Sequence, residues 1–408
     1  MVRKMRRATT GIRALCIALT LTACAGRPEG VLKPVATGSL SPAASTVTML
    51  VATSRKPSGD PGTLFSGERS PMLSLTDIAI SIPPGRASGT VQWPRKLPAD
   101  PAKDFAVIRA RSLSIPEART WLHAYDNDGH VLVFVHGFNN RYEDSVFRFG
   151  QIVHDSGAKV APILFTWPSR ASVFDYNYDK ESTNFSRTAL ERSLKALVDD
   201  PSVKDVTVMA HSMGTWLAME SLRQLAIRDG RIPAKIHNVI LASPDLDVDV
   251  FARQWTELGP EKPKFSIFVS QDDRALAVSR MISGDVARVG QIDPSKEPYR
   301  SKLEQAGITV IDLTKVKTED NLHHGKFAES PEIVQLIGSR LIGGQKLTDS
   351  NVTLGESIGA VVAGTVDTVG KVAATTVSTP ITMMEGRSRP AASEEIGTIL
   401  KGDPEDQP

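Results

Sequence analysis

Between Val206 and Ala218 the chain reads Val-Thr-Val-Met-Ala-His-Ser-Met-Gly-Thr-Trp-Leu-Ala, and few backbone paths suit that order of residues. An apolar run of strand character reaches Ser212 without a linker. It passes at once into a segment whose Ala218, Leu222 and Leu225 share one helical face and which ends near Asp229-Gly230. A strand that becomes a helix this abruptly needs a strained turn, and small residues two before and two after the Ser let that turn pack against neighbouring backbone. Ala210 and Gly214 hold those positions, so the predicted turn lifts the Ser212 hydroxyl above the edge of a sheet. Small-x-Ser-x-Gly arises by chance about 0.3 times in a chain of this length, so the strand-turn-helix context carries the weight. The sequence supplies its own control. Gly355-Glu356-Ser357-Ile358-Gly359 has the same spacing, but no strand precedes it and no His follows it, so Ser357 is rejected as a nucleophile.

Around this turn, short apolar runs alternate with amphipathic stretches from Thr46 to Leu341, which predicts an α/β fold with a largely parallel sheet. Expected strands are 47–52, 77–82, 105–110, 131–135, 160–165, 206–210, 237–242, 265–269 and 308–311. Val131-Leu132-Val133-Phe134-Val135 is apolar throughout, as a strand must be when helices cover both faces of its sheet. Helices are expected over 142–155, 182–198, 213–228 and 331–341. The Pro- and Gly-rich stretch 53–104 reads as an N-terminal β-rich elaboration with long loops.

Both ends differ from this body. Arg3, Lys4, Arg6, Arg7 and Arg13 precede an apolar stretch, Ala14 to Leu21, that is too short to span a bilayer, so residues 1–23 read as an export signal. The stretch closes on Leu21-Thr22-Ala23-Cys24, which resembles a bacterial lipobox and implies acylation of Cys24 and membrane attachment. With Ala25 rather than Asp after the Cys, the expected location is the outer membrane of a Gram-negative envelope, facing the periplasm. Residues 24–45 read as a flexible tether, 46–342 as the folded α/β domain and 343–408 as a low-complexity tail. Removing the signal takes five of the 48 basic residues and none of the 46 acidic ones, leaving a formal charge of −3. That balance gives no electrostatic footprint for nucleic acid. Both cysteines, Cys16 and Cys24, lie in the leader region, so no disulfide framework and no Cys-based metal site serves the body. No cofactor and no metal are expected, and the oligomeric state is not legible.

A second motif, Phe134-Val135-His136-Gly137-Phe138-Asn139-Asn140, directly follows an apolar strand. His-Gly at a strand end lets the loop fold back, so that the Phe138 N–H with the Met213 N–H would form an oxyanion hole. His136 itself is assigned a structural role. Together these residues resemble the α/β-hydrolase superfamily. Phe165-Thr166-Trp167-Pro168-Ser169, Ser243-Pro244-Asp245-Leu246-Asp247 and Ala52-Thr53-Ser54-Arg55 further resemble a bacterial group of esterase- and lipase-like hydrolases of poorly defined function.

The resemblance implies a Ser-Asp-His triad in that chain order, and only His323 and His324 follow every plausible acid. Leu322-His323-His324-Gly325-Lys326-Phe327 resembles the family's histidine loop and favours His324 as base. Ser270-Gln271-Asp272-Asp273-Arg274-Ala275-Leu276 resembles the acid loop and favours Asp273, with Asp272 and the Asp245, Asp247, Asp249 group as alternatives. The latter group is expected to order a loop or cap a helix. Trp167, Tyr176 and Tyr178 are candidates for a pocket. The function implied is a lipid-anchored serine hydrolase of carboxylic esters, on a small-molecule or lipid substrate. The alternative is a catalytically silent envelope lipoprotein that uses the fold to bind a partner.

Overall fold

A computed structural model describes residues 29–36, 38, 40–125, 128–342 and 359–361. The leader with Cys24 and residues Gly355 to Ile358 of the motif around Ser357 lie outside the described residues, as does most of the stretch read as a tail.

In chain order the elements are β1 (Ser45–Pro57), β2 (Phe65–Ile82), β3 (Ala106–Leu113), α1 (Ile115–Ala124), β4 (His130–Val135), α2 (Tyr142–Ser156), β5 (Ala161–Thr166) and α3 (Tyr176–Asp199). There follow β6 (Asp205–His211), α4 (Gly214–Asp229), β7 (Ile236–Ala242), α5 (Val248–Glu257), β8 (Lys264–Val269) and α6 (Arg274–Ile282). The described chain closes with α7 (Tyr299–Gln305), β9 (Thr309–Asp312), α8 (Lys326–Glu329), α9 (Pro331–Leu336) and β10 (Gly359–Val361). Among the described residues no helix is long and apolar enough to cross a membrane.

The strands form one sheet in the order β10-β9-β8-β7-β6-β4-β5-β1-β2-β3. From β9 to β1 every neighbour is parallel, and β2, β3 and β10 add antiparallel edges. The fold is therefore the expected α/β architecture, a mostly parallel sheet covered on both faces. Alternation along each strand feeds two cores. Val131, Val133 and Val135 of β4 join Val206, Val208 and Ala210 of β6 on the face covered by α3, α4 and α5. Leu132 and Phe134 join Met209 and Phe268 on the face covered by α2 and α9, where Phe134 stacks on Phe149 at 5.2 Å. Burial on both faces is why the strand sequences are continuously apolar.

Chain direction across the sheet reverses between β4 and β6: β5 lies to one side of β4 and β6 to the other. Open α/β sheets bind ligands in the crevice at the carboxyl ends of such strands. Both motifs singled out in the sequence follow these two strands.

Three expectations need correction. Residues 31–35, expected within a flexible tether, are docked instead: Val31 and Leu32 are fully buried and the N–H groups of Leu32 and Val35 donate to Gly62 O and Val107 O. Two large apolar residues in a polar stretch suffice to dock it. Residues 359–361, expected in the tail, pair with β9 as β10, since the edge of a parallel sheet offers unpaired backbone groups. Helix α3 begins at Tyr176, six residues before the apolar periodicity that predicts it.

Candidate active site

Ser212 follows the last residue of β6 with a φ of +53°, a left-handed conformation rare for a residue with a side chain. Its N–H donates to Ala242 O of β7, while its carbonyl accepts from the Thr215 and Asp245 N–H groups, so neighbouring backbone over-determines the turn. Gly214 shows why the second small residue is needed. A Cβ there would stand 2.2 Å from His136 O and 2.8 Å from Val135 O. Gly137 makes the reciprocal approach, where a Cβ would stand 2.8 Å from the Ser212 Cβ. The two motifs thus touch through their glycines. Asn139, Ala171, Ser243 and His323 also have positive φ, all in loops after strands at this same edge of the sheet.

The loop after β4 is held by His136, which is buried and stacked on Trp167 with ring centroids 4.8 Å apart. Its Nε2 accepts from the Trp167 N–H at 3.1 Å, which places the proton on Nδ1, where it is donated to Gly137 O. Burial, joined by the charge of Arg55, pushes this imidazole down to about 3, so it stays neutral. The Trp167 indole N–H donates to His136 O. Trp167 is fully enclosed and supports this loop, so it is corrected from a pocket-lining residue to a packing one. Among the described residues neither the Phe138 nor the Met213 N–H donates a hydrogen bond.

The candidate acid and the candidate base come from loops after β8 and β9. Asp273 is completely buried at the N-cap of α6, where one carboxylate oxygen accepts from the Leu276 N–H and the other from His324 Nδ1 at 2.6 Å. His324 is 15% exposed and leaves Nε2 available. Burial alone would lower its pKa, but the charge and hydrogen bond of Asp273, aided by Asp245 and Asp320, outweigh it and raise it above the ordinary imidazole value. The His211 ring lies 4.7 Å from that of His324. Burial and the charge of His324 hold the pKa of His211 well below the ordinary imidazole value, which makes it a weak base.

The neighbouring candidates form a separate pair. Asp272 accepts from His323 Nδ1 at 2.8 Å and is gripped by the buried Lys326 ammonium at 2.7 and 3.0 Å. Lys326 also donates to Ser270 Oγ, Leu313 O and Thr314 O, fastening the acid loop to the chain that leads to the histidines. Asp245 accepts from Tyr176 Oη and the hydroxyl of Ser279, and among the described residues no histidine hydrogen-bonds to it. Asp247 accepts from the Asp249 and Val250 N–H groups as the N-cap of α5. Tyr176 sets its ring edge-on to Phe138 at 5.3 Å. Tyr178 lies further out, its ring against the guanidinium groups of Arg69 and Arg170.

Sequence reasoning assigns no role to Arg55, Asp179 or Asp320, yet all three shape the site. Buried Arg55 donates to Asn140 O and Ser169 O, bracing the loop after β4 against the loop after β5. Asp179 accepts from the Asn139 and Arg170 N–H groups. Asp320 accepts from the N–H groups of Leu322, His324 and Gly325 and thereby sets the histidine loop. A buried polar group tied to a distant loop leaves no local pattern; only the presence of Arg55 in an apolar strand hints at it. Among the described residues no group of His, Cys, Asp and Glu could hold a metal ion.

Comparison with solved structures gives distant likenesses. A candidate cell surface hydrolase from Lactobacillus plantarum WCFS1 is 14% identical with a TM-score of 0.35, over 54% of this chain and 94% of its own. A fungal esterase from Rhizomucor miehei is 13% identical with a TM-score of 0.33, over 73% and 83%. An esterase from Pyrococcus furiosus is 14% identical with a TM-score of 0.23, over 45% and 82%. Similarities this remote carry no argument about activity. No curated protein sequence matches the chain. A family model does match, over residues 115–340, a span that begins with α1 and takes in both glycine-bearing loops and both histidines. The chain belongs to the family described as alpha/beta hydrolase of unknown function (DUF900).

Proposed function

We propose that the protein is a serine hydrolase of carboxylic esters, anchored in the bacterial envelope through an acylated Cys24, with Ser212 as nucleophile, His324 as general base and Asp273 as the group that orients it. The observation that carries this reading is the 2.6 Å contact between the buried Asp273 carboxylate and His324 Nδ1, at the same sheet edge as the strained Ser212 turn. With Nδ1 committed to Asp273, the His324 tautomer presents Nε2 as acceptor. Nε2 takes the Ser212 hydroxyl proton as Oγ bonds to the ester carbonyl carbon, and the oxyanion accepts from the Phe138 and Met213 N–H groups. Collapse breaks the bond to the alcohol, which leaves with the proton from Nε2. Water then attacks the acyl-enzyme, giving its proton to His324, and releases the acid with Ser212 restored.

A fluorophosphonate probe tests the assignment directly. Wild type and Ser357→Ala should label, whereas Ser212→Ala should neither label nor turn over a short-chain ester. Labelling that survives in Ser212→Ala would move the nucleophile elsewhere.

A further inference from the structure

We infer that the edge of the molecule carrying the candidate active site docks onto a lipid bilayer, and that the substrate is an ester held in that bilayer rather than one dissolved in water. This deepens the proposed function and rests on its readings of Ser212 and Cys24.

The first observation is where the described chain begins. Glu29 lies 3.7 Å from the Arg141 guanidinium, and Arg141 follows the loop whose Gly137 abuts Ser212. Gly30 packs on Gly62 in the turn between β1 and β2, and Leu32 donates its N–H to Gly62 O. Since β1 runs parallel to β5, that turn lies at the carboxyl edge of the parallel strands, the edge of the Ser212 turn. Cys24 precedes Glu29 by five residues, which reach at most about 18 Å when fully extended. Val31 and Leu32 are buried and prevent the chain from paying out further. An acyl chain on Cys24 therefore keeps this edge within about 18 Å of the membrane.

The second observation is what that edge exposes. Phe174, two residues before α3, is 89% exposed, and Val173 beside it is exposed as well. On α6, Val278, Met281 and Ile282 follow helical spacing on one face and are all exposed, Met281 by 69%. The two elements adjoin, because Tyr176 Oη and Ser279 Oγ are 2.9 Å apart. Exposed Leu322 continues the surface, with its carbonyl accepting from the Arg274 N–H. A helix face with this spacing, exposed among the described residues, suits the boundary between headgroups and acyl chains. The short link to Cys24 selects a bilayer over a protein partner as the occupant. Hydrolysis there consumes an ester and a water and returns the acyl product to the membrane.

The test uses the full acylated chain reconstituted in vesicles of phosphatidylethanolamine and phosphatidylglycerol. Cys16 and Cys24 are the natural thiols; the first lies in the export signal and the second is acylated, so Phe174→Cys and Met281→Cys each introduce one reactive site. A fluorophore on either should be quenched by nitroxide lipids, while one on Ile227→Cys, at the far end of α4, should not. Absence of quenching at 174 and 281 overturns the docking whatever the chemistry. A Phe174→Ser, Met281→Ser double variant should lose at least about tenfold more turnover of a diacylglycerol embedded in the vesicles than of a water-soluble butyrate ester. Equal loss on both overturns the substrate class. Quenching at both sites with turnover of neither ester refutes the hydrolase reading instead, and a mass spectrum without acyl on Cys24 refutes the anchor.

Discussion

Burial makes an imidazole hard to protonate, yet His324 runs the other way because the buried Asp273 carboxylate sits 2.6 Å from its Nδ1. As a general base His324 must be neutral, so kcat/KM should fall with decreasing pH as it protonates. Its raised pKa places that limb above the value of about 6.5 for a free imidazole. Asp273→Asn removes the charge that favours the imidazolium, so the limb should move to lower pH and the rate should fall by roughly 10⁴ as the tautomer is lost. His324→Ala should cost nearly as much as Ser212→Ala, since members of such a unit are strongly non-additive. Asp272→Asn should act on the fold instead. It weakens the partner of buried Lys326, so the melting temperature should drop while the folded fraction keeps most of its turnover. A pH–rate profile with a thermal melt on all four variants decides this. Full activity in Asp273→Asn would return the acid to Asp272 or Asp245.

At the scale of elements, the site depends on how closely α4 approaches the end of β4. Gly214→Ala would drive a methyl group into His136 O and Val135 O, which are backbone atoms fixed in the sheet. The expected result is a loss of about 3 kcal/mol in unfolding free energy, with probe labelling of Ser212 impaired even where the protein remains folded. Unchanged stability in denaturant titration would show that the two loops can separate. Apolar periodicity made most central strands and α2, α4 and the body of α3 legible. It missed the first turns of α3, where Tyr176, Asn177, Tyr178, Asp179, Lys180 and Glu181 supply no apolar stripe and the buried Asp179 is held by loop N–H groups instead. Helices α5, α6 and α7 were missed for a related reason: they are short, and α5 and α6 start from capping aspartates rather than long amphipathic repeats.

For the whole molecule, the proposed anchor is checked by metabolic labelling with a fatty-acid analogue, which should mark the wild type and not Cys24→Ser. A wholly soluble wild type, or label in the variant, would remove the membrane from the account. The sequence by itself determined the α/β class, the Ser212 turn and the loop after β4. Each is written in contiguous residues: an apolar run, a small-x-Ser-x-Gly pattern, a His-Gly pair. The order that the resemblance implies also narrowed the candidate base to two neighbouring histidines and favoured one of them. Only the tertiary structure decided which acid meets which histidine. Asp272 and Asp273 are adjacent in sequence, but the strand end and the cap of α6 send their side chains in different directions, one to Lys326 and His323, the other to His324. The same holds for Arg55, Asp320 and the docking of Val31 and Leu32, because burial and long-range hydrogen bonds depend on what the fold brings near and leave no periodic trace along the chain.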